Sequence, residues 1–89
     1  MIKSFKHKGL KKFFEKGDIS GINPKHAIKI RRVLLQLNRA KVIQDMDAPG
    51  YRLHSLKGNL KDIWAVDVSG NYRITFRFEN SNVYVIDYH

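Results

Sequence analysis

The sequence contains no cysteine, only two prolines, a single tryptophan, and just eight carboxylates among its 89 residues. Without cysteine there is no disulfide framework and no thiolate metal site, and the chain suits the reducing cytoplasm, where it is expected to work. No apolar run approaches the roughly 20 residues that span a bilayer, so no membrane is expected. The start of the chain is charged and interrupted, unlike a secretory signal. Repeats, linkers and low-complexity segments are also missing, so one domain spanning residues 1–89 with a modest core is expected. Apolar residues make up 43% of the chain, ordinary for a folded protein, which argues against global disorder.

The shortage of acid is uneven. Residues 1–41 hold twelve Lys or Arg against Glu15 and Asp18, whereas residues 42–89 hold five against six carboxylates. A near-neutral half is thus joined to a very basic one. That asymmetry points to a polyanionic partner, most often nucleic acid, because each neutralised phosphate releases counterions. Surface lysines kept for solubility are the plainer alternative.

What the chain has in abundance is strand pattern near its end. From Ile63 to His89 it reads IWAVDVSGNYRITFRFENSNVYVIDYH. Trp64, Val66 and Val68 fall on one face of a first strand. Tyr72, Ile74, Phe76 and Phe78 fall on one face of a second, opposite Arg73, Thr75, Arg77 and Glu79. Val83, Val85 and Asp87 alternate with Tyr84, Ile86 and Tyr88 on a third. Alternation of this kind predicts one buried face and one wet face. Ser69-Gly70-Asn71 and Asn80-Ser81-Asn82 supply turn residues, so a three-stranded antiparallel meander is expected.

Upstream, Ile2–Phe5 alternates and predicts an edge strand. Lys8–Lys16 reads as a short helix with Leu10, Phe13 and Phe14 on one side, stopped by Gly17. Asn23-Pro24 is a helix start, and from there to about Arg39 the residues Ala27, Ile30, Leu34 and Leu37 recur at helical spacing, widened by Val33 and Leu35. Lys41–Met46 suggests one more helical turn. After Ala48-Pro49-Gly50, Tyr51–Leu56 alternates as a strand and Lys57-Gly58-Asn59 turns back. The expected fold is α+β, in the order β-α-α-β-β-β-β, with two main helices packed on one side of a mostly antiparallel sheet.

Few residues are equipped for chemistry. The four histidines lack i, i+4 spacing and nearby acidic partners, so no metal site is predicted and no cofactor is implied. No Gly-rich phosphate loop precedes a helix, and no Ser occupies a nucleophile elbow. There remain His54, Lys57, Arg73 and the terminal Asp87-Tyr88-His89. Brought to one surface, such a set suits RNA cleavage. One group withdraws the 2′-hydroxyl proton, another donates to the departing 5′-oxygen, and fixed cations hold the charge on phosphorus. Each residue also has a plainer role: His54 as a hydrogen-bonded core residue, Arg73 and Arg77 as a solvated strand face, Tyr88 as a sheet aromatic. His7 and His26 lie among lysines on expected helix surfaces and receive no function.

The opening MIKSFKHKGLKKFFEKG, the central YRLHSLKGN, the strand NYRITFRF and the closing IDYH resemble the HigB family of type II toxins, within the RelE/ParE-like superfamily, from the first residue to the last. The resemblance implies a RelE-like microbial ribonuclease fold. It also implies an mRNA interferase that enters the ribosomal A site and cuts mRNA during translation, inhibiting translation and growth. Implied partners are the ribosome with its rRNA, the mRNA, and a HigA-like helix-turn-helix antitoxin that brings operator DNA only through the toxin–antitoxin complex. Carried over position by position, His54, Asp87, Tyr88 and His89 become the catalytic set, and Lys57 and Arg73 the phosphate grip. Lys8, Lys11, Lys12, Arg31 and Arg32, from the lysine-rich helices, are assigned to a ribosome-binding surface. The chain departs from the family at Asn59, where an acidic residue is usual, and at Tyr72, where Trp is common. Two alternatives stay open: a ParE-like toxin acting on DNA gyrase, and a non-catalytic RNA-binding module with bases stacked on Tyr72, Tyr84 or Tyr88.

Overall fold

The computed structural model describes residues 1–56, 58 and 62–89. Helix α1 (Lys8–Lys16) begins at His7, whose Nδ1 accepts the Leu10 amide at 3.1 Å, and ends at Gly17, whose φ of 71° suits a residue without a Cβ. Asn23 caps a 3₁₀ turn, Pro24–His26, by accepting the Lys25 amide at 3.0 Å, and that turn feeds helix α2 (Ala27–Arg39). Ile30, Val33, Leu34 and Leu37 are fully buried along one stripe of α2, while Arg31 and Arg32 face solvent. Leu35 does not widen that stripe; it remains exposed. A second 3₁₀ turn, Ile43–Met46, is held by the Asp45 carboxylate accepting the Lys41 amide and buries Met46. Among the described residues no helix is long and apolar enough to cross a membrane.

Four strands follow: β1 (His54–Ser55), β2 (Ile63–Ser69), β3 (Tyr72–Glu79) and β4 (Asn82–Tyr88). They form one sheet in the order β1-β2-β3-β4, antiparallel throughout. Val66, Val68, Ile74, Phe76, Val83 and Ile86 bury one face with α1 and α2 in a single core. Asn80 and Ser81 both take positive φ, 52° and 63°, the conformation of the tight turn that joins β3 to β4. The strand expected over 51–56 shrinks to two residues, because Arg52 sits at φ 49° and breaks the extended run.

The expected edge strand at Ile2–Phe5 runs parallel to β4 through two bridges, Ile2 to Val83 and Phe5 to Ile86. Lys3 and Lys6 donate backbone bonds of 2.8 and 2.9 Å to Val83 and Ile86. This strap covers what would otherwise be an open sheet edge.

One expectation about β4 is corrected. Between the pairs Thr75–Asp87 and Arg77–Tyr84, β3 advances two residues and β4 three. The extra residue inverts the alternation, so Val83, Ile86 and Tyr88 are buried together and Val85 is exposed. Val85 takes the strain, with φ 50°, a conformation that costs a β-branched residue about 1–3 kcal/mol.

α1 approaches the 18–22 loop so closely that Gly9 and Gly21 meet backbone to backbone. A methyl at Gly9 would run into Gly21 and lie 2.8 Å from the His7 ring. Gly9→Ala is therefore expected to destabilise by about 1–3 kcal/mol, despite the better helix propensity of alanine. A calorimetric melt should show Tm lowered by several degrees; an unchanged or higher Tm would contradict the contact.

Candidate active site

The pairing registers decide which side chains share a face. Ala65 stands opposite both His54 and Thr75, and Thr75 stands opposite Asp87, so these four form one row. The next row runs Asp67, Arg73, His89: Asp67 pairs with Arg73, and Arg73 and His89 exchange backbone bonds of 2.8 and 3.1 Å. His54, Arg73, Asp87 and His89 thus look out from the sheet face opposite the helices. With strands about 4.8 Å apart, His54 and Asp87 are roughly 14 Å apart at the backbone.

At the β4 end the groups touch. Asp87 Oδ1 accepts the Tyr88 amide at 2.9 Å, while Oδ2 lies 3.5 Å from His89 Nδ1 and 4.0 Å from Lys6 Nζ. Asp87 is half-buried, its side chain 22% exposed; that of His89 is 61% exposed. The Asp87 carboxylate against Nδ1 orients the ring and leaves Nε2 toward solvent. At the β1 end, His54 Nδ1 lies 2.8 Å from the Arg52 carbonyl. A carbonyl only accepts, so Nδ1 carries the hydrogen and Nε2 is the atom that can take or give a proton. Farther along the face, the Arg77 guanidinium lies 4.7 Å from the Tyr84 ring centroid.

Tyr88 does not join this group. Its ring is buried on the helix side, and its hydroxyl lies 2.6 Å from His26 Nδ1. Tyr72 stacks on it at 5.5 Å between centroids, and His7 meets its edge at 5.5 Å. Burial pushes the Tyr88 phenol above its ordinary range; a backbone hydrogen bond at Asn23 opposes the shift and neighbouring Tyr72 adds to it. His26, expected on a helix surface, is only 8% exposed. It stands four residues before Ile30 and eleven before Leu37, on the same buried stripe, a spacing that would have revealed it. Lys6, to which the sequence assigns no role, stands beside Asp87. A segment Ile2–Phe5 laid parallel to β4 necessarily brings the following lysine to Asp87. Lys57 and Asn59 lie outside the described residues. The five cations Lys8, Lys11, Lys12, Arg31 and Arg32 are all exposed on α1 and α2.

Comparison with known proteins gives consistent results. The family model described as "RelE-like toxin of type II toxin-antitoxin system HigB" matches residues 3–89. Endoribonuclease HigB of Proteus vulgaris is 43% identical over 88 residues, covering 99% of this chain and 96% of that protein. Among solved structures, the YoeB-YefM complex from Staphylococcus aureus superposes with a TM-score of 0.62 at 17% identity, covering 100% of this chain and 95% of that one. At that identity the likeness speaks for the fold alone: two helices on a four-stranded antiparallel sheet.

Proposed function

We propose, on the premise that this chain belongs to the HigB-like family of RelE-like toxins of type II toxin–antitoxin systems, that it cuts mRNA under translation in the ribosomal A site. As a member of that family it is an endoribonuclease toxin with an antitoxin partner. The observation that carries the finer reading is the shared face of His54, Arg73, Asp87 and His89.

The chemistry follows from that face. His89, its Nδ1 held by Asp87, takes the proton of a ribose 2′-hydroxyl through Nε2. The freed oxygen attacks the adjacent phosphorus, forming the 2′,3′-cyclic phosphate as the bond to the 5′-oxygen breaks. His54, approaching from the β1 side, returns a proton to that leaving oxygen. An attack in line needs acid and base on opposite sides of phosphorus, and β1 and β4 flank the β2–β3 pair. Arg73, with Lys57, neutralises the charge that builds on the phosphate oxygens. Tyr88 serves the reaction by fixing β4 from behind, through His26. Mapping mRNA 5′ ends after induction, with and without translation of the message, tests the proposal. Cuts that persist on untranslated message would refute ribosome dependence.

The basic helices lie on the face of the sheet away from the cleavage groups, which leaves them available to rRNA. Reversing Lys11, Lys12, Arg31 and Arg32 to Glu is expected to weaken ribosome association by at least about tenfold at moderate salt. These side chains are exposed, so Tm should move little. Unaltered co-sedimentation with ribosomes at the same salt would contradict this. The antitoxin is proposed to be a HigA-like helix-turn-helix protein, which alone brings operator DNA to the complex.

A further inference from the structure

The chain enters β1 through an irregularity. The Asp67 amide donates to the Tyr51 carbonyl at 2.7 Å, whereas His54 stands opposite Ala65. Three steps along one segment thus match two along β2, which marks a bulge. Arg52 sits inside it at φ 49°, a left-handed conformation that a residue with a side chain keeps only where its surroundings impose it.

The surroundings act from both sides. Upstream, Tyr51 is buried and its amide donates to the Ala48 carbonyl at 3.0 Å, while Lys29 Nζ reaches from α2 to the Gly50 carbonyl, also at 3.0 Å. Downstream, Leu53 packs against the core. Across the strand, Arg52 Nε lies 3.5 Å from Asp67 Oδ2. The Arg52 side chain is 82% exposed, and an exposed ion pair of this kind adds little to stability. The effect of the bulge is local. In a regular strand the carbonyls lie in the plane of the sheet and the side chains stand out of it, so a ring does not meet the carbonyl two residues before it. Here the left-handed turn brings the Arg52 carbonyl to 2.8 Å from His54 Nδ1.

We propose that Arg52 is a positioning residue for His54, acting through its main chain rather than its guanidinium. The bulge supplies a fixed acceptor that keeps a hydrogen on Nδ1 and presents Nε2 to the departing 5′-oxygen. The inference rests on the reading of His54 as the proton donor in RNA cleavage. A donor has to exchange one proton at one atom. With Nδ1–H tied to the carbonyl in the neutral and the charged ring alike, only Nε2 changes state, and the ring is kept from offering the wrong nitrogen. Backbone strain beside a reacting group is characteristic of functional sites. At Arg52 it persists because relaxing it frees the imidazole.

Glycine and valine at position 52 separate main chain from side chain. Both remove the guanidinium; glycine accepts the left-handed conformation freely, whereas a β-branched side chain drives the backbone toward the extended region. Arg52→Gly should cut translated mRNA within about fivefold of the wild-type rate, the scale of one exposed ion pair. Arg52→Val should lose about tenfold to a hundredfold in single-turnover rate, the scale of a misplaced catalytic group. Imidazole nitrogen chemical shifts read the cause directly. In the wild type and in Arg52→Gly, neutral His54 should carry its hydrogen on Nδ1; in Arg52→Val that preference should be lost. Equal rates in the two variants, whether kept or lost, would overturn the proposal, and so would a wild-type ring with its hydrogen on Nε2. Should Arg52→Val not fold, Arg52→Ala, with a milder aversion to this conformation, takes its place. If the wild type cuts no translated message, the cleavage reading has failed, and the nitrogen shifts alone decide whether Arg52 holds His54.

Discussion

His89→Ala should slow cleavage of translated mRNA by about 10²–10⁴-fold, the usual contribution of a positioned general base. The imidazole side chain is 61% exposed and its close partner among the described residues, Asp87, is on the surface of the sheet, so folding should lose no more than about 0.5 kcal/mol. Rate and stability thus separate cleanly. Single-turnover cleavage on programmed ribosomes measures the first, and a melt measures the second. Asp87→Asn should give a smaller loss, because it leaves the base in place and weakens only the charge that steadies Nδ1. A His89→Ala protein that cuts within a few-fold of wild type would remove the terminal imidazole from the mechanism.

Tyr88→Ala should have the largest effect on stability, about 3–5 kcal/mol, the range for deleting a buried aromatic ring. For a domain of this size the expected total is only about 5–15 kcal/mol, so the variant should be substantially weakened and lose growth arrest through its fold. Tyr88→Phe separates the ring from its hydroxyl. It leaves His26 Nδ1 without its 2.6 Å partner, at a cost of about 1–3 kcal/mol, with the packing intact. Urea denaturation reads both. Should Tyr88→Phe keep full stability yet lose cleavage, the phenol would carry a proton rather than brace the strand. The raised pKa of this phenol has its own signature. An unfolded tyrosine titrates near 10.0, whereas the folded one keeps its proton to higher pH. The contribution is complete below pH 10 and is lost as pH rises from there through the folded value.

The meander was legible because Trp64–Val68 and Tyr72–Phe78 alternate without interruption, and period two has one reading when a face must be buried. The caps at Asn23 and Gly17 were legible for a similar reason, since few residues meet those backbone demands. The bulge in β4 was harder. Val83-Tyr84-Val85 looks regular, and only the adjacent apolar pair Val85-Ile86 betrays that the strand changes face. His26 reads as a surface residue from the lysines around it, whereas its burial follows the stripe of α2; Tyr88, carried over by resemblance, lies with Ile86 on the buried face of β4. Residue type and resemblance mark the proposed cleavage groups. Their common face depends on registers across four strands, and register is not written in any one of them.

The strap along β4 also bears on how the molecule comes into being. Residues 2–6 find their partners at 83–86, with Ser4 and Val85 81 positions apart along the chain. During synthesis the strap emerges early and must wait, its Ile2 and Phe5 unsheltered, until β4 is available. Closing so long a loop is slow relative to helix formation. Lys6 reaches Asp87 only at that final step. Lys6 and Asp87 therefore meet late, after the helices and the β2–β3 hairpin have had time to form.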